Sequence, residues 1–178
     1  MKYETHTDHE NEYGRKLEIQ QDYEGLKLIT HMQFYNGIPV VRCWNELKNQ
    51  GKRTYAVEYL SSFAFTGLSG GCQQPRDKNG LLYIPHNTWF GEAQWKKYTL
   101  NELGYDVVNT FSMKRISYSK TGSWGCDEFL PMGCYYNTET DTSMTWEIET
   151  SGSWHWEISD IREQLYLQIS GPTFQENG

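Results

Sequence analysis

From Lys16 onward, apolar and polar residues alternate with a period of two, as in strands that bury one face and wet the other. Leu17 and Ile19 alternate with Glu18 and Gln20. Leu26, Leu28, Thr30, Met32 and Phe34 then share one face, while Lys27, Ile29, His31 and Gln33 share the other. Asn36-Gly37 predicts a turn before a strand over residues 40–47. Gln50-Gly51-Lys52 predicts another, leading into Tyr55, Val57, Tyr59, Ser61, Phe63 and Phe65 on one parity. Further strands are expected over residues 81–84, 107–113, 115–119, 145–149, 153–158 and 164–170. Gly122, Gly125, Gly133 and Ser151-Gly152 punctuate them. Residues 66–79, loosened by Gly67, Gly70, Gly71 and Pro75, read as an exposed connection. Residues 100–104 read as one helical turn.

No window carries an i, i+3, i+4, i+7 apolar stripe over ten residues, so long helices are not expected. Short strands at a spacing of roughly ten residues, separated by turn signals, predict an all-β fold: a large antiparallel β-sandwich with at most short helical turns. No fixed repeat argues for a propeller. Residues 1–14 are polar and acidic and lack the alternation, which predicts a flexible lead-in, with residues 15–178 forming the β domain.

Composition sharpens this picture. Seven Trp, 13 Tyr and 7 Phe in 178 residues favour pleated surfaces and also suit sugar binding, where a flat ring packs on the apolar face of a pyranose. Sixteen Lys and Arg against 23 Asp and Glu give a net charge of −7, which disfavours a nucleic-acid partner. No run of 18 apolar residues predicts a membrane span, and the N-terminus lacks the apolar segment of a signal peptide. Cys43, Cys72, Cys126 and Cys134 form no C-x-x-C pair, so reduced thiols and a cytoplasmic location are expected.

The chain offers little that could catalyse. Ser69 is not in a G-x-S-x-G context, and no glycine-rich phosphate loop precedes a helix. His6, His9, His31, His86 and His155 are scattered, so neither a metal nor a cofactor site is expected. On their strands, His31 and His155 are expected to face solvent or a partner. Two aromatic clusters stand out. In Trp154-His155-Trp156 the alternation puts both tryptophans on one face, as core residues would be. In residues 86–95 (HNTWFGEAQW), Trp89 is either a sugar platform on an exposed loop or a plug folded back onto the sandwich.

Several runs resemble the N-terminal domain of bacterial α-galactosidases of glycoside hydrolase family 36: YLSSF (59–63), HNTWFGEAQW (86–95), FSMKR (111–115), LPMGC (130–134), GSWHWE (152–157) and LYLQISGPT (165–173). The resemblance extends from about Arg15 to the C-terminus. It implies a β-supersandwich that precedes a catalytic (β/α)8 barrel and a small β domain, in a retaining enzyme that removes terminal α-linked galactose from melibiose- and raffinose-type sugars. Both catalytic aspartates of such an enzyme would lie on the barrel, outside this chain, so no residue here is expected to be catalytic. The implied partners are the α-galactoside, the enzyme's own barrel and further copies of the subunit. Trp89 corresponds to a family tryptophan bordering the galactose subsite. The family's Tyr-Gly-x-Gly-Asp motif is not matched at Tyr13-Gly14-Arg15, and its first several dozen residues are expected to be missing. An autonomous carbohydrate-binding module is the alternative.

Overall fold

A computed structural model describes residues 1–70, 79–105, 113–161 and 164–171. Among these the elements are twelve β-strands in three four-stranded antiparallel sheets, in agreement with the expected all-β class. The chain divides into two compact units, Met1–Val57 and Glu58–Gly178.

The first unit is a meander of β1 (Lys2–Asn11), β2 (Gly14–Tyr23), β3 (Leu26–Phe34) and β4 (Val41–Asn49). Its register follows the alternation in the sequence. Leu17 lies opposite Met32 and Met32 opposite Cys43, which gathers apolar residues on one face. Glu18 lies opposite His31 and His31 opposite Trp44 on the other.

The lead-in expected over residues 1–14 is instead strand β1, paired with β2 along nearly its whole length. Hydrophobic periodicity cannot find such a strand, because both of its faces are wet. It is held by the backbone ladder and by cross-strand polar pairs. The Arg15 guanidinium forks onto the Asp8 carboxylate, and the Thr7 hydroxyl donates to Glu18 at 3.0 Å. Asn11 closes the turn, its Oδ1 accepting the N–H groups of Tyr13 and Gly14.

His31 also departs from expectation. It lies on the polar face yet is only 5% exposed. Its ring stacks on Trp44 at 4.7 Å and 5°, with Nδ1 2.8 Å from Glu18 and Nε2 3.1 Å from Glu46. Long side chains on neighbouring strands cover it, so a polar face is not uniformly a wet one.

The second unit contains β5 (Phe63–Thr66), β6 (Gly80–His86), β7 (Gln94–Thr99), β8 (Arg115–Lys120), β9 (Met132–Asn137), β10 (Thr142–Glu147), β11 (Trp154–Ile161) and β12 (Gln164–Ser170). One sheet runs β10-β9-β6-β7 and the other β5-β12-β11-β8. Between them lies a core to which Leu82, Ile84, Tyr135 and Trp146 come from the first sheet and Trp154, Trp156, Ile158, Leu165 and Leu167 from the second. Trp146 and Trp156 meet edge to face at 5.1 Å across the sandwich. Both expected core tryptophans, Trp154 and Trp156, are 1% exposed.

Besides β1, two strands of the second unit are not marked by the alternation. In β9, a Gly and adjacent tyrosines blur it. Gly133 is required there, because a Cβ would lie 2.5 Å from the Trp146 ring. β7 is an edge strand whose residues are mostly exposed and polar. The strand expected through residues 55–65 is formed only at β5, and the one expected over 107–113 falls at residues outside those described, save Met113.

Where a helical turn is expected, residues 100–104 form a hydrogen-bonded turn instead: Leu100 C=O accepts the N–H groups of Leu103 and Tyr105, and Gly104 sits at φ +80°. Of the connection at residues 66–79, Leu68 and Ser69 are buried rather than exposed, Ser69 Oγ accepting the Leu165 N–H at 3.3 Å. Residues 71–78, Cys72 included, lie outside those described. Cys43, Cys126 and Cys134 are free thiols. Among the described residues no helix is long and apolar enough to cross a membrane.

Candidate functional site

The loop between β6 and β7 presents the aromatic residues singled out in the sequence. Asn87 anchors its base with three hydrogen bonds. The Asn87 N–H donates to Glu128 C=O at 2.8 Å, Nδ2 donates to Cys126 C=O, and Oδ1 accepts the Ala93 N–H at 2.9 Å. A β-bridge between His86 and Phe129 continues this seam. One asparagine therefore ties both ends of its own loop and the segment 121–129 together.

Above this base the backbone turns tightly. Thr88 and Gly91 exchange two hydrogen bonds, at 3.3 and 3.0 Å. A Cβ at Gly91 would press on Gln94 Nε2 and Thr88 Cγ2, so the turn is closely packed there. Phe90 and Ala93 sit at φ +61° and +53°, in the left-handed region. For a bulky side chain such as Phe90 this is a true outlier, and such strain gathers at binding sites and is retained where surrounding contacts enforce it. Here the enforcing contacts are Glu92 Oε1, which accepts the Phe90 N–H at 3.2 Å, and Gln94 Nε2, which donates to Gly91 C=O at 3.0 Å.

The outcome is a group of rings held out of the fold. Trp89 is 68% exposed, Phe90 91% and Trp124 61%. Trp89 meets Trp124 at 5.6 Å and 80°, and Phe90 at 5.9 Å and 72°, both edge to face. Of the two readings the sequence left open for Trp89, the plug is therefore excluded: the ring stands outward. Flat exposed π-faces beside one another suit the apolar face of a sugar ring. Within the loop, Asn87 Oδ1, Glu92 Oε1 and Gln94 Nε2 are engaged with backbone groups, which leaves the rings as its most prominent exposed feature.

Trp124 was not singled out in the sequence, where Gly122 and Gly125 mark its surroundings only as a turn. A signal existed, a tryptophan flanked by Ser and Gly in a loop. That it would join Trp89 is decided by tertiary contacts. Lys120 Nζ lies 2.7 Å from Asp127, and this hydrogen bond holds the Asp127 carboxyl below its usual range. His86, under the loop, donates or accepts at 2.8 Å with the Tyr98 hydroxyl, and burial lowers its pKa.

A shallow groove of about 380 Å³ lies elsewhere, on the outer face of the β10-β9-β6-β7 sheet, lined by Tyr83, Trp95, Cys134, Tyr136 and Ser143. It has few polar groups to orient a sugar, which a specific site requires. Among the described residues, no three His, Cys, Asp or Glu side chains gather as metal ligands would.

No family model matches the sequence, and no curated protein does. Among solved structures, the crystal structure of the GH36 α-galactosidase AgaA from Geobacillus stearothermophilus is similar, with a TM-score of 0.64 and 13% sequence identity over 94% of this chain and 24% of that one. At that identity the likeness is one of fold. The chain spans about a quarter of that enzyme's length, so the likeness covers only one part of it.

Proposed function

We propose that this chain is the non-catalytic N-terminal β-sandwich domain of an α-galactosidase acting on terminal α-linked galactose of melibiose- and raffinose-type sugars in the cytoplasm. In this reading it packs on the catalytic barrel, supports oligomerisation, and lends Trp89 as one wall of the galactose subsite. The observation that carries it is the outward presentation of Trp89 on an anchored, strained loop, in a chain with the fold of part of such an enzyme. The catalytic carboxylates belong to the barrel, so the chain by itself releases no nitrophenol from a nitrophenyl α-galactoside.

The test is Trp89→Ala in the natural protein that carries this chain. kcat/KM should fall by ~3- to 30-fold, since one ring contact is worth about one factor of ten in rate. The fold should survive, because the ring is outside the core. Unchanged kinetics would sink the reading.

A second reading, an autonomous carbohydrate-binding module, is favoured by the three exposed rings together. Calorimetric titration of the chain with galactose and raffinose separates the two. A module binds measurably unaided, whereas a single stacking contact worth ~0.5–1.5 kcal/mol does not.

A further inference from the structure

An exposed tryptophan on a loop is a poor stacking surface unless its ring is held at one angle, because ordering a free side chain on binding offsets the stacking energy. Trp89 has an exposed ring, and the Trp124 ring meets it at 5.6 Å and 80°. An edge-to-face pair of this kind is comparable in energy with the cost of ordering one such side chain.

Trp124 is suited to act as a buttress because its own backbone is clipped to the fold on both sides. The Gly122 N–H donates to Ser153 Oγ at 3.2 Å, and Ser153 is fully buried. Gly125 C=O accepts the buried Trp154 indole N–H at 2.5 Å. Cys126 C=O accepts Asn87 Nδ2, so the same asparagine that anchors the Trp89 loop fixes the segment bearing Trp124. The two loops are thus locked to one another beneath the two rings.

We propose that Trp124 is the positioning residue for Trp89: it sets the angle at which the Trp89 ring meets the apolar face of a galactopyranoside. This rests on the reading of Trp89 as a wall of the sugar subsite. Trp124 acts through Trp89, and its loss costs substrate binding more than turnover.

The experiment uses the natural protein that carries this chain, with a nitrophenyl α-galactoside as probe, and compares W89A, W124A, W124F and the W89A/W124A double variant. W124A should raise KM by roughly 2- to 12-fold, the range an edge-to-face pair supplies, with kcat nearly unchanged. The double variant should be no worse than W89A, because the buttress has nothing left to hold. W124F keeps an aromatic edge and should recover much of the loss. A merely structural role would instead lower thermal stability, without KM selectivity or rescue. Near-ultraviolet circular dichroism gives an independent readout: the coupled indole bands of the pair should vanish equally in W89F and W124F.

Impaired W89A with normal W124A overturns the proposal alone, as do additive effects in the double variant. Normal W89A kinetics overturn the reading of the site. Absence of a dichroism change shared by W89F and W124F overturns the positioning geometry whatever the kinetics show.

Discussion

The indole N–H of Trp154, a residue 1% exposed, donates at 2.5 Å to the carbonyl of Gly125, the immediate neighbour of exposed Trp124. A core side chain thereby holds a surface ring in place. A Cβ at Gly125 would lie 2.7 Å from Gly152 C=O, so the approach depends on glycine.

Trp154→Ala and Trp156→Ala should each destabilise strongly. Trp156 stacks on Tyr118 at 4.7 Å and meets Trp146 edge to face. Emptying such a site costs ~3–5 kcal/mol, a large share of a domain's stability. Thermal melts should show both variants well below the parent. If both melted at the parent temperature, the core assignment would be wrong.

Trp154→Phe separates packing from tethering. The ring still fills most of the site, but Gly125 C=O loses its donor. Amide exchange should quicken around residues 122–126 more than in β11 and β12. Uniform protection across these segments would show that the hydrogen bond does not hold the loop.

Asn87→Ala removes two side-chain hydrogen bonds, one to Cys126 C=O that joins the two loops and one from the Ala93 N–H that closes its own loop. A typical hydrogen bond contributes about 0.5–1.5 kcal/mol net. Exchange at the Ala93 amide should rise sharply, and the Trp89–Trp124 dichroism should weaken. Preserved protection at Ala93 would contradict the anchor role.

Ala93→Gly should stabilise the chain. At φ +53° an L-residue pays ~1–2 kcal/mol that glycine does not, against a smaller loss from the freer unfolded chain. A rise of a few degrees in melting temperature is expected. A fall would mean that the methyl group makes contacts that outweigh the strain.

Acid should weaken the first unit through Glu18. The Lys16 ammonium, 2.8 Å away, chiefly lowers its pKa from 4.5 to about 2, helped by the Thr7 hydroxyl and His31 and opposed by burial. A carboxylate depressed in the folded state adds stability above its unfolded pKa, and that stability is lost as pH falls from about 4.5 toward 2. Glu18→Gln should therefore flatten the stability profile across this window. A Glu18 carboxyl carbon titrating near 4.5 in NMR would disprove the account.

The sequence alone determined the strand class and much of the core. Period-two alternation records which side of a strand meets other protein, so β2, β3, β8, β11 and β12 were legible, and so was the burial of Trp154 and Trp156. Tertiary structure decided the rest. β1 has no dry face and exists through its ladder with β2, which local periodicity does not record. His31 is covered by Glu18, Trp44 and Glu46 from neighbouring strands. Trp89 was visible as a candidate, but its outward pose depends on Asn87 and the strained turn. Its meeting with Trp124 depends on Trp154 and Ser153 in the core. Those partners are distant in the chain, and only folding brings them together.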